Sequence, residues 1–122
     1  MGKQIDILVI DDNDIQLEFL EHLFDTHGYS CHTSDDNMQA LELIQEIKPR
    51  LVLLDIMMPN VDGFTILKNI RDTKGLEKLP VVIYTSKAYP VDQKKAMSLG
   101  ATAYLIKPIK GSEIIEEIKK HL

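Results

Sequence analysis

At 122 residues the chain has the size of one domain and is long enough for a proper hydrophobic core. Hydrophobic residues make up 44% and charged residues 27%, which excludes a disordered chain, and a net charge of −5 argues against nucleic acid as the main partner. Cys31 is the only cysteine, so an internal disulfide is excluded and a reducing compartment is favoured.

The neighbours of Cys31 are apolar enough to predict a buried structural thiol. The opening Met1 to Asp6 is polar and short, without the apolar stretch of a secretory signal. No apolar run approaches the length needed to cross a membrane. The expectation is a soluble, cytoplasmic protein forming one domain over residues 1–122.

Ile5 to Ile10 predicts a first strand, with Ile7 to Ile10 buried on both faces. It ends in Asp11 and Asp12. Asn13 and Asp14 lead into a helix whose Ile15, Phe19, Leu20, Leu23 and Phe24 keep helical spacing, and Gly28 stops it. Tyr29 to Thr33 is a weaker second strand, suited to an edge. Ser34 to Asp36 offers caps for a second helix striped by Ala40, Leu41, Ile44 and Ile47, which Pro49 ends.

Leu51 to Leu54 is an unbroken apolar run, predicting a third strand covered on both faces and closing on Asp55. A loop with Pro59 follows, and a third helix starts near Asp62-Gly63 with Phe64, Leu67 and Ile70 inward. After the polar stretch 72–79, Pro80 opens a fourth strand, Val81 to Tyr84, closed by Thr85 and Ser86. Pro90 suits the first turn of a fourth helix carrying Ala96, Met97 and Leu99. Ala101 to Ile106 is the fifth strand, ending in Lys107-Pro108. The last helix starts at Gly111-Ser112, with Ile114, Ile115, Ile118 and Leu122 inward.

Five strand–helix alternations with short connections predict an α/β fold: a doubly wound, five-stranded parallel sheet with five helices. A closed barrel would need about eight such units. In a parallel sheet all carboxyl ends lie on one edge, where open α/β folds place their sites. That edge gathers Asp11, Asp12, Asp55, Thr85 and Lys107. Three carboxylates in one cleft repel unless a cation joins them, and hard oxygen ligands with room for water suit magnesium. A hydroxyl and an ammonium beside them match the needs of a phosphoryl group, and a central aspartate can be its covalent acceptor.

Other chemistries fit less well. Asp11-Asp12-Asn13 stands where a phosphate-cradling glycine loop would follow the first strand. His22, His27, His32 and His121 lack metal-ligand spacing, and Ser86 has no histidine partner at the strand ends.

Ile7-Leu-Val-Ile-Asp-Asp12, Leu51-Val-Leu-Leu-Asp-Ile-Met-Met-Pro59, Asp62-Gly63, Ile70-Arg71, Val81-Val-Ile-Tyr-Thr-Ser86 and Gly100-Ala-Thr-Ala-Tyr-Leu-Ile-Lys-Pro108 follow in this order. With these motifs the chain resembles a receiver domain of a two-component response regulator, similar to the single-domain chemotaxis and sporulation regulators. The resemblance implies a flavodoxin-like sheet of strand order 2-1-3-4-5. It also implies that Asp55 accepts a phosphoryl group from a phosphohistidine on a histidine kinase or phosphotransfer protein. Asp11, Asp12, Asp55 and the backbone carbonyl of Met57 would hold Mg2+. Thr85 and Lys107 would engage the phosphoryl group, and Tyr104 would be the aromatic that moves with Thr85. The Lys107-Pro108 peptide is typically cis in such domains. The output would pass to a downstream protein target through the surface of the fourth helix, fifth strand and fifth helix.

Ser86 departs from the alanine or glycine usual at its position. Apolar Met57 is expected to position attacking water poorly and so slow hydrolysis of the phosphoryl group. A magnesium-dependent aspartyl-phosphate phosphotransferase or phosphatase is an alternative, but it would want a second acid–base carboxylate where Met57 stands. A receiver used only for docking is a further alternative, disfavoured by the intact acidic trio, Thr85 and Lys107. No effector domain or DNA-binding helix-turn-helix is legible, so the output goes through protein partners, or the chain is a piece of a longer one such as a hybrid kinase.

Overall fold

A computed structural model describes residues 4–59 and 61–122; Asn60 and the first three residues of the polar opening stretch lie outside them. Five strands, β1 (Ile7–Ile10), β2 (Cys31–Ser34), β3 (Leu51–Leu54), β4 (Val81–Thr85) and β5 (Ala103–Ile106), pair in parallel in the order β2-β1-β3-β4-β5. The helices between and after them are α1 (Asp14–Thr26), α2 (Ala40–Ile47), α3 (Gly63–Asp72), α4 (Pro90–Ser98) and α5 (Gly111–Lys119). A short 3-10 turn, Asn37–Gln39, precedes α2. The doubly wound sheet and its strand order are therefore as expected.

Strand alternation sorts the core into two layers. Leu8, Ile10, Val52, Leu54, Val81 and Ile83 face α2, α3 and α4, while Ile7, Val9, Leu51, Leu53, Val82 and Tyr84 face α1 and α5. Because β1, β3 and β4 are covered on both sides, their sequences read as continuous apolar runs. Each such side chain removed from water contributes about 1.5–3 kcal/mol before entropy is counted.

Some expectations shift. In α1 the buried row is Leu17, Leu20 and Phe24, whereas Ile15 is 81% and Phe19 45% exposed. Ile15 and Phe19 are four residues apart and share a face with each other, but it is the face turned away from the sheet. In α4 only Ala96 is buried and Met97 is exposed, so Pro90–Ser98 enters the core through one small side chain. α2 stops one residue before Pro49, at Lys48, whose left-handed φ of 53° ends the helical hydrogen bonding.

Cys31 begins edge strand β2 and is half-buried rather than enclosed. Burial, helped by the charge of Glu21, nevertheless pushes its thiol up to about 12. At pH 8 a thiol reagent is therefore expected to label Cys31 about 10³-fold more slowly than a free cysteine. Labelling at the rate of the free amino acid would show a thiol far less desolvated.

Candidate functional site

Asp11 follows the last residue of β1 and Asp55 the last residue of β3, and Ile10 pairs with Leu54 across these neighbouring strands. The Asp55 amide donates to the Ile10 carbonyl at 3.0 Å, so the ladder itself sets the two carboxylates side by side. Here the chain also reverses its direction of winding, from β2 on one side to β4 and β5 on the other, which opens a crevice above the strand ends. Thr85 ends β4 and is fully buried; Lys107 follows β5 and donates its amide to the Thr85 carbonyl at 2.8 Å. The Lys107-Pro108 peptide is cis.

The side chains converge. Lys107 Nζ lies 2.8 Å from Asp11 Oδ2 and 3.1 Å from Asp55 Oδ2. The other oxygen of each carboxylate accepts a backbone amide: Asn13 N–H on Asp11 Oδ1 at 3.0 Å, Met57 N–H on Asp55 Oδ1 at 2.9 Å. Asp11 and Asp55 are buried while Asp12 is exposed at the mouth, and carboxylate oxygens of all three fall within 4.8 Å of one another. Burial drives the Lys107 ammonium down, but the Asp11 hydrogen bond and the charges of Asp55 and Asp11 outweigh it, and its pKa is raised.

Three carboxylates against one ammonium leave two negative charges in a site walled by apolar strands, a balance suited to a divalent cation. The donors are all hard oxygens and Asp12 opens to solvent, so the residues present fit a cation that keeps part of its water shell. Among the described residues this is the one group of three or more acidic, histidine or cysteine side chains placed to share an ion. His22 and His32 line a groove between α1 and β2 without forming a second such group. His27 Nδ1 contacts the Leu23 carbonyl, and His121 Nε2 contacts Glu117.

The remaining candidates ring the cleft. Thr85 Oγ1 accepts the Lys87 amide at 3.3 Å, leaving its own proton for another acceptor. Ser86 Oγ contacts Met57 Sδ at 3.3 Å, so the loops after β3 and β4 meet beside Asp55. Tyr104 is half-buried on β5 and donates its hydroxyl to the Lys87 carbonyl at 2.8 Å, which ties it to the backbone two residues beyond Thr85. The lysine side chain itself pairs with Asp92 at 3.7 Å and lines a shallow groove with Ile56, Met57, Met58 and Asp62.

Three contributors escaped the sequence reading. Tyr84 presents its ring to the Lys107 ammonium at 5.0 Å and its hydroxyl accepts from Gln16. Gly63 packs against the strand end so closely that a Cβ there would lie 2.8 Å from the Asp55 carbonyl oxygen. Asn37, which directly follows the capping stretch Ser34 to Asp36, is buried with both amide protons engaged. A lone Asn or Tyr carries no spacing signal. Gly63 was legible as a helix start but not as a close approach.

The profile of the response regulator receiver domain matches residues 7–119. The polar-differentiation response regulator DivK of Brucella anthropi is 31% identical over 116 residues, covering 95% of this chain and 94% of its own. Among solved structures, the chemotaxis protein CheY4 of Vibrio cholerae superposes with a TM-score of 0.90 at 23% identity, over 98% of this chain and all of its own, a likeness of fold. The BeF3-activated N-terminal receiver domain of Klebsiella pneumoniae RstA gives a TM-score of 0.87 at 26% identity, over 95% of this chain and 97% of its own.

Proposed function

The chain belongs to the response regulator receiver family of two-component signalling, and from that premise we propose that it is a phosphoacceptor switch. Asp55 takes the phosphoryl group from a phosphohistidine on a histidine kinase or phosphotransfer protein. One Asp55 carboxylate oxygen attacks phosphorus, the phosphorus–nitrogen bond breaks, and the imidazole leaves with the electron pair. The observation that carries this reading is the Lys107 ammonium bridging Asp11 and Asp55 beside buried Thr85. Asp11, Asp12, Asp55 and the Met57 carbonyl would hold Mg2+, which when bound neutralises charge on the phosphoryl oxygens. Lys107 supplies the fixed counter-charge, and the Thr85 hydroxyl donates to a phosphoryl oxygen.

Phosphorylation turns the single negative charge of Asp55 into roughly two, carried on phosphoryl oxygens that reach further into the cleft, and favours a conformation in which Thr85 and Lys107 draw toward them. Tyr104 is linked to that movement through its hydrogen bond to the Lys87 carbonyl. The shift would be read by a protein target on the α4–β5–α5 surface. Signalling, with only its own phosphoryl gain and loss as chemistry, is the purpose proposed for the chain. Met57 stands where an aspartyl-phosphate enzyme would want its second carboxylate.

The test is intact mass after incubation with acetyl phosphate, with and without magnesium. A gain of one phosphoryl mass that requires magnesium supports the switch. No gain with magnesium bound and a histidine phosphodonor also refused would overturn it.

A second measurement isolates the cation. Magnesium at about 100 times its Kd should stabilise the fold by about 2.7 kcal/mol. In Asp12→Asn that increment should largely vanish while the magnesium-free protein becomes slightly more stable, because a like charge leaves the cluster. Thermal melts of both proteins check it; an undiminished magnesium effect in the variant would place the cation elsewhere.

A further inference from the structure

The described residues bury four polar side chains: Asp11, Asp55, Thr85 and Asn37. The first three make the site. Asn37 begins the 3-10 turn ahead of α2 and does not serve as that turn's cap. Asp36 does so, accepting the amides of Met38 at 3.1 Å and Gln39 at 3.3 Å. The Asn37 side chain instead reaches the loop between β3 and α3, where its nitrogen donates to the carbonyls of Pro59 and of Val61, the latter at 2.9 Å.

That loop begins at Asp55. Its near end is fixed by the Met57 amide on Asp55 Oδ1, and its far end by the Asp62 side chain capping α3 and by Gly63 lying flat on the strand end. Asn37 grips the stretch between, from a different element of the fold. An amide is suited to this, since one nitrogen carries two protons and the loop offers two carbonyls. Without it, the Val61 carbonyl would lose its donor and have to find water, while the Pro59 carbonyl would keep only the Val61 amide at 2.9 Å, a contact within the loop that ties it to no other element.

We propose that Asn37 is a positioning residue for the phosphoacceptor site: by tethering Pro59 and Val61 it holds the β3–α3 loop so that the Met57 carbonyl and Asp55 present one cation-binding geometry. This rests on the reading of Asp55 and its neighbours as the magnesium and phosphoryl site. Asn37 touches neither group itself and acts through the loop.

The test uses Asn37→Leu, which keeps the side chain's size without donors, and Asn37→Ser as a milder replacement. Ile44→Val is the control, because it thins the same α2 packing and, being apolar, removes no hydrogen bond from the loop. Magnesium affinity is read by calorimetry, and amide hydrogen exchange at Met57 and Val61 is read without magnesium. Losing the tether should weaken magnesium binding about fivefold, the worth of roughly one net hydrogen bond, and speed exchange at Val61. Ile44→Val should lower Tm with magnesium affinity and Val61 exchange unchanged.

Asn37 variants that bind magnesium and exchange at Val61 as the wild type does would overturn the proposal, whatever happens to Tm. So would an Ile44→Val protein that loses magnesium affinity equally, since general loosening would then suffice. A wild type that fails to bind magnesium would overturn the reading of the site instead, and the exchange arm would still decide whether Asn37 holds the loop.

Discussion

Asp55→Asn is expected to abolish phosphoryl uptake: with acetyl phosphate and magnesium the wild type gains one phosphoryl mass and the variant gains none. The side-chain amide has no anionic oxygen to attack phosphorus, and the hydroxyls of Thr85 and Ser86 have no histidine beside them to take a proton. The loss should not come from unfolding. The amide oxygen introduced by the substitution can still accept the Met57 amide or the Lys107 ammonium, and one of three mutually repelling carboxylates is gone. Tm of the variant is therefore expected to equal or exceed that of the magnesium-free wild type. An unchanged mass gain in the variant would move the acceptor elsewhere and end the proposed mechanism.

Lys107→Met should hurt both stability and rate, and the two losses separate. The variant strands Asp11 and Asp55, which share this ammonium. Breaking a fully buried pair costs about 3–5 kcal/mol, and about 2–3 kcal/mol is expected here because the lysine retains some water contact. The sign follows from the raised pKa. The folded state holds the Lys107 proton more tightly than the unfolded chain, so its stabilisation is complete below the ordinary value of 10.5 and is lost as pH rises beyond it. Wild type should therefore weaken above that pH, and the variant should lack this part of the dependence.

The rate of phosphoryl gain should fall by about 10²–10³, as when one preorganised partner of the developing charge is removed. Magnesium affinity should hold or rise, since no ammonium competes for the carboxylates. Denaturant melts across pH and single-turnover phosphorylation check the two arms. A variant that is as stable and as fast as wild type would show that the bridge contributes to neither.

Much of the fold was legible because periodicity is a local property. The runs Ile7–Ile10, Leu51–Leu54 and Val81–Tyr84 could only be strands covered on two faces, and their separation by helix-length segments left a parallel doubly wound sheet as the consistent arrangement. The convergence of Asp11, Asp12, Asp55, Thr85 and Lys107 followed from the same logic, since parallel strands put every carboxyl end on one edge. Helix faces were less secure. Ile15 and Phe19 satisfy helical spacing as well as Leu17 and Leu20 do, and nothing local says which of two apolar rows meets the sheet.

By itself, then, the sequence determined the element order, the parallel sheet and the residues gathered at its carboxyl edge, because hydrophobic period and chain connectivity leave few alternatives. The tertiary structure decided what those residues do to one another. That Lys107 bridges Asp11 and Asp55 rather than reaching solvent, that Tyr84 lies beside it, and that Gly63 must lack a Cβ all depend on distances across elements far apart in the chain. Asn37 shows the division most clearly. In the sequence it is one polar residue between a capping stretch and an apolar helical stripe, and only packing of the 3-10 turn against the β3–α3 loop turns its two amide protons toward Pro59 and Val61. A hydrogen bond between segments distant in sequence leaves no period to read, so its existence is settled where the chain folds back on itself.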